Sequence, residues 1–240
     1  MANLLRLVAC LFLCVSLNTF AVDTDGDGFS DADEATLGTD PNDPTSPIEN
    51  RLNPTDASIS DNFGVSVAIF GDTVVVGESN DGPNDSGSAF VFIRDGLTWN
   101  LQQKLTASDS QSLDNFGISV AISNNTIVVG AYGDDDNGVE SGSAYVFTRT
   151  SNIWTEQQKL LASDGSTEDQ FGKSVAISGN NIVIGSHLND DNGDRSGSAY
   201  VFSYTESTWT EEGKLTAIDG EIDDRFGQSV AISYETIAIG

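Results

Sequence analysis

Residues 116–131 read FGISVAISNNTIVVGA. The run Ser119–Ile122 leads through Ser123-Asn124-Asn125, a hairpin signal, into the run Thr126–Gly130, so this stretch predicts two short antiparallel strands. The Phe-Gly pair that opens it recurs at 63–64, 171–172 and 226–227, which gives spacings of 53, 55 and 55 residues. A period of this length indicates a repeat architecture in which each unit buries its faces against its neighbours.

Two further strand-like runs complete each unit. In the second unit they are Ser143–Phe147, which follows the acidic loop 134–138, and Trp154–Leu160, which is far more polar. A gradient from apolar inner strands to a polar outer strand is typical of a propeller blade, because neighbouring blades cover the inner strands while the rim faces water. The sequence therefore predicts an all-β fold, a β-propeller of four-stranded blades.

The repeat region is predicted to occupy 48–240, with units near 57–106, 107–161 and 162–216 and an incomplete unit at 217–240. That last unit stops after its second strand-like run, and soluble proteins avoid leaving an apolar strand uncovered in this way. About three and a half units are present, and we expect them to be a fragment of a larger propeller. A small propeller closed by self-association is the alternative.

The Phe-Gly pairs, the Val-Ala-Ile runs and Ile127–Ala131 together resemble the FG-GAP repeat of integrin α-chain propellers, over about residues 51–240. Units one and three depart from the Gly-Ala element and read Gly77-Glu78 and Gly185-Ser186. The resemblance implies that acidic hairpin loops hold calcium, although no loop here has the full Asp-x-Asp-x-Asp-Gly spacing. The candidate calcium ligands in these loops are Asp134, Asp136, Asp190 and Asn192. The alternative is that Asp, Asn and Gly only form the turns.

A denser acidic segment precedes the repeats. Residues 23–34 read DTDGDGFSDADE and carry every ligand position of an EF-hand loop, with Gly28 at the sharp turn. The predicted calcium ligands are Asp23, Asp25, Asp27, the backbone oxygen of Phe29, Asp31 and Glu34, the last of these opening a short helix. With its continuation to Pro44 this segment resembles a bacterial thrombospondin type 3 repeat, a calcium-binding extracellular element, to which we assign residues 22–47. Calcium is the one cofactor that the sequence predicts.

The first residues predict the destination of the chain. Residues 1–21 have one charge, Arg6, then an apolar run over 7–17 and a small residue at Ala21, which is the pattern of a secretory signal peptide. Both cysteines lie within this segment, so the mature chain is expected to have no disulfide framework. We expect a secreted protein, extracellular or held at the cell surface, with no membrane insertion after signal cleavage.

The charge of the chain limits its partners. Asp and Glu number 37 against 10 Lys and Arg, and the net charge of −27 disfavours nucleic acids and anionic membranes. Catalytic groups are few, since His187 is the sole histidine, is expected at the surface, and lies near no nucleophile-elbow motif. We therefore predict a secreted, calcium-binding, non-enzymatic adhesion or ligand-binding module for an extracellular protein or glycan.

Two alternatives to this function follow from the same residues. The chain is alternatively the propeller portion of a secreted polysaccharide-degrading enzyme, since carboxylate pairs are abundant, or a lectin in which periodic tryptophans stack on sugars. For these tryptophans, which are Trp99, Trp154 and Trp209, blade packing is the competing explanation. The acids two residues before each Phe-Gly pair are expected to cap turns, and they are Asp61, Asp114, Asp169 and Asp224.

Overall fold

A computed structural model of the chain describes residues 22–25, 30–43, 52–54, 58, 60–82 and 84–240, and the predicted signal peptide at 1–21 lies outside them. The chain divides into two compact units, Met1–Asn50 and Arg51–Gly240. In the first unit, helix α1 spans Asp31–Leu37. Within the described residues, no helix has the length and apolar character needed to cross a membrane.

The second unit consists of strands and turns in its described part. The strands are β1 (Phe63–Phe70), β2 (Thr73–Glu78), β3 (Ser88–Asp95), β4 (Thr98–Leu105), β5 (Ser119–Ser123), β6 (Thr126–Ala131), β7 (Ser143–Thr150), β8 (Ile153–Leu160), β9 (Phe171–Ser178), β10 (Asn181–Ser186), β11 (Ser198–Thr205), β12 (Thr208–Leu215), β13 (Val230–Ser233) and β14 (Thr236–Ile239). The sequence Ser-Gly-Ser-Ala recurs at 86–89, 141–144 and 196–199, and β3, β7 and β11 all begin at its second serine.

Each sheet is an antiparallel meander of consecutive strands. Three sheets have four strands, β1 to β4, β5 to β8 and β9 to β12, and a fourth described sheet has the two strands β13 and β14. The sheets follow one another as the blades of a propeller-like array. The prediction of an all-β fold built from four-stranded blades is confirmed.

The second strand of each four-stranded sheet is the most buried. Every residue of β2 is buried, as are five of the six residues in β6 and in β10. The outer strands β4, β8 and β12 are partly exposed along most of their length. The predicted gradient from an apolar interior to a polar rim is present in the second and third blades, where adjacent sheets cover the inner strands. In the first blade the innermost strand, β1, is mostly exposed.

The core of the repeat unit lies between successive sheets. One cluster of buried side chains joins the first sheet to the second, and it includes Val75, Ala89, Val91, Val120, Ile127 and Val129. A second cluster joins the second sheet to the third, and it includes Val128, Val146, Leu160, Phe171, Ile182 and Tyr200. Neighbouring residues of β6 therefore face opposite blades, as the alternation of side chains along a strand requires.

The Phe-Gly pair is where one blade meets the next. Phe116 is fully buried, forms a parallel bridge with Gly87 of the preceding unit, and meets Tyr145 edge-on with ring centroids 5.4 Å apart. Gly117 follows at φ +93°, a conformation that side chains rarely adopt, and a Cβ at this position would clash with the carbonyl oxygen of Ser88. The motif recurs because it allows the backbones of two blades to touch.

The tryptophans that begin the outer strands are packing residues wherever a blade precedes them. Trp154 and Trp209 are only 2% and 4% exposed. The indole Nε1 of Trp154 donates to Oε1 of Gln102 in the preceding blade at 2.8 Å. Their burial supports the packing explanation and leaves these two rings without a face on which a sugar can stack.

Candidate metal centre

The acidic segment of the first unit folds back on itself at Asp31. The side-chain oxygens of Asp31 accept hydrogen bonds from the backbone N–H and the hydroxyl of Thr24, at 2.8 and 2.6 Å. The N–H of Asp31 donates to the carbonyl of Val22 at 2.8 Å. Asp31, a predicted ligand, is thus the residue that closes the loop in this structure, and calcium binding by it stays a prediction.

Helix α1 follows the loop and has a cap at each end. The carbonyl of Ser30 accepts the N–H of Glu34 at 3.0 Å, which makes Ser30 the N-cap residue. Gly38 ends the helix at φ +79° and donates to the carbonyl of Glu34 at 2.8 Å, the left-handed cap for which glycine is suited. The expected short helix is present, but it begins at Asp31, so Glu34 lies within it rather than opening it.

Glu34 is the most buried of the predicted ligands that the structure describes. Its side chain is fully buried, whereas Asp25 is half-buried and Asp23 is exposed. A carboxylate is buried at tolerable cost only when hydrogen-bond donors or a cation compensate for its lost hydration. Carboxylate oxygens are the ligands that calcium prefers, so the described residues fit a calcium ion. The other two predicted ligands, Asp27 and Phe29, lie outside the described residues.

The acids that precede the Phe-Gly pairs cap turns, as predicted. In each unit one carboxylate oxygen accepts the backbone N–H three residues upstream. The pairs are Ser58 to Asp61 at 2.5 Å, Gln111 to Asp114 at 2.6 Å, Ser166 to Asp169 at 2.9 Å and Glu221 to Asp224 at 2.7 Å. Asp114 is only 2% exposed, and burial, reinforced by the charge of Asp134, raises its pKa to about 6.

The acidic loop of the second blade surrounds a lysine. The ammonium Nζ of Lys159, on outer strand β8, lies 2.7 Å from Asp109, 2.8 Å from Asp134 and 2.7 Å from Asp136. The hydroxyl oxygen of Tyr145 lies 2.8 Å from Asp109 and 2.9 Å from Asp134, and its one proton is shared between these two carboxylates. Asp134 is 1% exposed whereas Asp109 and Asp136 are exposed, so this network extends from the interior of the blade to its surface. The structure therefore brings Asp134 and Asp136 together, as predicted, but around a side-chain cation.

The electrostatics of this network favour its charged form. Burial alone would lower the pKa of Lys159, but its hydrogen bonds to the three carboxylates outweigh burial and raise that pKa. Burial would raise the pKa of Asp109, but its bonds to Lys159 and Tyr145 lower that pKa. Burial and the neighbouring carboxylates raise the pKa of the Tyr145 hydroxyl, which therefore stays protonated as a donor. At neutral pH the network holds one cation against three carboxylates.

The third blade repeats the arrangement with one substitution. Lys214 lies 2.8 Å from Asp164 and also pairs with Asp191. The substitution is Asn189, which stands one 55-residue period after Asp134 and so occupies the equivalent position. The residues singled out in this loop, Asp190 and Asn192, have other contacts. The N–H of Arg195 donates to Asp190 at 2.7 Å, and the amide of Asn192 donates to the carbonyl of Ala217 at 3.1 Å.

Relative to Asp134 and Asp136, the residues Asp190 and Asn192 are one position out of register, and calcium binding by them stays a prediction. They correspond to Asp135 and Asn137 of the second blade, which make the same contacts with Glu140 and Ala162. The residue equivalent to Asp136 is Asp191, and it faces the lysine. Calcium binding at Asp134 and Asp136 also stays a prediction, and Asp190 and Asn192 take part in forming the turn.

The first blade has its own version of this cluster. Lys104 pairs with Asp81 at 2.5 Å, and carboxylate oxygens of Asp61, Glu78 and Asp81 lie within 4.8 Å of one another. The lysines recur with the 55-residue period that the sequence displays, and so do Asp109 and Asp164. This periodicity was the only sequence signal that the lysines have a role in the acidic loops. It does not indicate which side chains a lysine on a polar strand contacts.

His187 is buried, which corrects the expectation of a surface residue. It is 5% exposed and follows β10 at the position that Tyr132 occupies in the preceding unit. Burial, together with the charges of Lys173 and Arg225, lowers the pKa of His187 to about 4. Lys173 itself lies over the ring of Tyr132, with Nζ 4.4 Å from the centroid. The imidazole is therefore neutral at neutral pH.

Comparison with protein families matches both parts of the chain. The family model for the FG-GAP repeat matches residues 48–92, 99–147, 154–202 and 209–240. The model for the bacterial TSP3 repeat matches residues 23–44. A comparison with curated proteins found no match.

Among solved structures, Sqt1 from Saccharomyces cerevisiae and a europium-containing methanol dehydrogenase are similar to this chain. Each is 10% identical to it, with a TM-score of 0.43. The alignments cover 68% and 70% of this chain but 38% and 29% of those two proteins, so this chain spans well under half of their lengths. The repeat matches, by contrast, cover more than half of this chain, which therefore belongs to the FG-GAP repeat family.

Proposed function

We propose that this chain is a secreted, calcium-binding FG-GAP repeat protein that acts as a non-enzymatic binding module for an extracellular protein or glycan. Calcium would organise the acidic segment at 23–34, and the repeat unit would present the ligand-binding surface. The full burial of Glu34 at the last ligand position of that segment is the observation that carries the calcium part of the proposal.

The ligand set at 23–34 supports calcium over other cations. The described ligands are carboxylates, and hard oxygen donors in this number suit calcium, whereas zinc and copper sites use histidine or cysteine. The hydrogen bonds between Thr24 and Asp31 join the start of the segment to the first residue of α1. They therefore fix the backbone of the helix that carries Glu34. The match of 23–44 to the bacterial TSP3 repeat is in accord with this reading.

A cavity of about 820 Å³ in the repeat unit supports a glycan as the ligand class. It lies among the turns that join the first two strands of each blade, and its lining includes Phe70, Asn124, Asn181, Tyr234 and Glu235. Phe70 is 44% exposed and Tyr234 is 86% exposed. Exposed aromatic rings stack on the apolar faces of sugars, and neighbouring amide and carboxylate groups bond to their hydroxyls.

The charge of the chain also bears on the class of its ligand. A net charge of −27 repels polyanions, so a neutral or basic ligand is favoured over an acidic polysaccharide. The buried acids of the second blade, Asp114 and Asp134, are engaged in a turn and in the contact with Lys159. These engagements support a binding role for the repeat unit over carboxylate catalysis at these two positions.

Retention of the purified chain on an array of neutral glycans and extracellular proteins tests the proposal. We expect retention of the wild-type chain on neutral glycans and loss of that retention in Phe70→Ala. Val139→Ala changes an exposed apolar residue outside the cavity and is the matched control. Release of reducing ends from the same glycans would support the polysaccharide-degrading alternative, and equal retention of the wild type and Phe70→Ala would contradict glycan binding at this cavity.

A further inference from the structure

We propose that Lys159 is the resident cation of the acidic loop in the second blade, and that it holds closed a divalent-cation site formed by Asp109, Asp134 and Asp136. The ammonium group takes the place that calcium would take, so the loop of the wild-type chain does not bind calcium. This inference goes beyond the proposed function, which rests on residues 23–34 of the other compact unit.

The spacing of the three carboxylates suits a single bound ion. One oxygen from each of Asp109, Asp134 and Asp136 lies within 4.8 Å of the other two. Calcium binds oxygen at about 2.3–2.6 Å, so two ligands of one ion are separated by at most about 5 Å. The three oxygens therefore fit the coordination sphere of one ion without rearrangement of the loop.

Lys159 occupies the centre of that sphere. Its Nζ makes contacts of 2.7, 2.8 and 2.7 Å with the three carboxylates. An ammonium group has three donors, and here each has a carboxylate oxygen within hydrogen-bond distance. A divalent ion at the same position would be a few ångströms from a positive charge, and mutual repulsion excludes it while the lysine is in place.

Supporting contacts keep the carboxylates of Asp109 and Asp134 in position independently of the lysine. The Tyr145 hydroxyl shares its one proton between Asp109 and Asp134, and the N–H of Asp136 donates to Asp134 at 3.2 Å. Tyr145 is fully buried and lies in the core cluster between the first two blades. Removal of the ammonium group thus leaves a preformed set of oxygen ligands with an excess of negative charge.

The third blade offers a matched control. Lys214 contacts Asp164 and Asp191, and the position of Asp134 is occupied by Asn189. The amide of Asn189 in place of the Asp134 carboxylate removes one negative charge from the ligand set. Lys214→Met should therefore create a much weaker cation site than Lys159→Met, although both variants lose a lysine from the same position of a blade.

Terbium luminescence measures the new site directly. Terbium replaces calcium in oxygen sites and emits when a nearby aromatic ring is excited, and the Tyr145 hydroxyl bonds directly to two of the ligands. We expect Lys159→Met to bind one terbium ion more than the wild-type chain, and Lys214→Met to match the wild type. Lys159→Arg, which keeps the charge, and the double variant Lys159→Met/Asp136→Asn should show no added site.

Tryptophan fluorescence during thermal unfolding gives a second readout. All three tryptophans belong to the repeat unit, so their signal reports on that unit and not on 23–34. We expect the wild-type transition to be the same in calcium and in EDTA, and the Lys159→Met transition to rise by about 5 °C or more in saturating calcium.

Two results would overturn the inference. A wild-type tryptophan transition that calcium raises would mean that the repeat loops bind the ion despite the lysine. A folded Lys159→Met variant with no terbium or calcium response beyond wild type would mean that the carboxylates do not form a cation site. If Lys159→Met does not fold, Lys159→Gln, which retains hydrogen-bond donors, is measured against the same two criteria.

Discussion

The side-chain amide of Gln103 pairs with the backbone of Trp154 in the next blade. Its Nε2 donates to the carbonyl of Trp154 at 2.7 Å, and its Oε1 accepts the N–H of Trp154 at 2.9 Å. Gln158 makes the same two bonds with Trp209, both at 2.8 Å. The outer strands of successive blades are therefore joined by glutamine side chains that bond as a neighbouring strand would.

Gln103→Leu is expected to lower the free energy of unfolding by about 2 kcal/mol, because the buried N–H and carbonyl of Trp154 lose their partners. Urea unfolding followed by tryptophan fluorescence measures the loss. Gln111→Leu changes an exposed glutamine and is the control. Equal stability of the two variants would contradict a role for the amide pairing.

Gly130→Ala is expected to destabilise the repeat unit by about 3 kcal/mol, since a Cβ at Gly130 would overlap the carbonyl oxygen of Gly172 in the next blade. Gly213→Ala is the matched control, because Gly213 also lies in a strand but has no atom within 4 Å of the added Cβ. The control should be neutral or about 0.5 kcal/mol more stable. Thermal unfolding of both variants checks the difference, and similar melting temperatures would contradict the close approach of the blades.

Asp114 predicts a specific pH dependence of stability. Burial raises its pKa to about 6, whereas an aspartate in the unfolded chain titrates near pH 3.9. Between these values the folded state holds a proton that the unfolded state has released. The free energy of unfolding contributed by Asp114 therefore falls as pH rises from about 4 to about 6, by about 2–3 kcal/mol, and then stays level.

Urea unfolding of wild type and Asp114→Asn at pH 4, 5, 6 and 7 measures this contribution. The wild-type free energy of unfolding should fall relative to that of the variant up to about pH 6. Asp224→Asn removes an exposed carboxylate that caps the equivalent turn, and it controls for loss of the cap itself. The same pH profile in wild type and Asp114→Asn would contradict the assignment.

The predicted signal peptide determines the start of the mature protein. When the full chain is expressed in a bacterial host with an intact secretion system, we expect an exported product whose first residue is Val22, because Ala21 ends the cleavage pattern. Mass spectrometry of the N-terminal peptide measures this directly. A product retained in the cytoplasm with residues 1–21 attached would contradict secretion.

The strands of the repeat unit were predictable because their signals are local and periodic. The run predicted at Thr126–Gly130 is β6 at Thr126–Ala131, and Trp154–Leu160 falls within β8 at Ile153–Leu160. Hairpin residues, alternating apolar positions and a constant period all agree on these elements. The EF-hand-like segment was predictable for the same reason, since all of its ligand positions lie within one short run.

The burial and partners of individual loop residues were not predictable from such signals. His187 is buried because of what packs around it, and no feature of the run from Ser186 to Asn189 indicates this. The loop at 189–194 contains five Asp or Asn residues, and which of them faces Lys214 depends on the three-dimensional alignment of β12 with the loop. Lys159 was visible as a periodic residue, but its three carboxylate partners come from two separate loops.

Calorimetric titration of calcium into the wild-type chain and Glu34→Gln is the most direct test of the calcium site at 23–34. Glutamine preserves the shape of the side chain and removes the charge that would bind the ion. We predict one calcium ion per wild-type chain, with a dissociation constant of about 10⁻⁴–10⁻³ M, and no measurable binding to Glu34→Gln. Equal binding by the two proteins, or no binding by the wild type, would contradict the account.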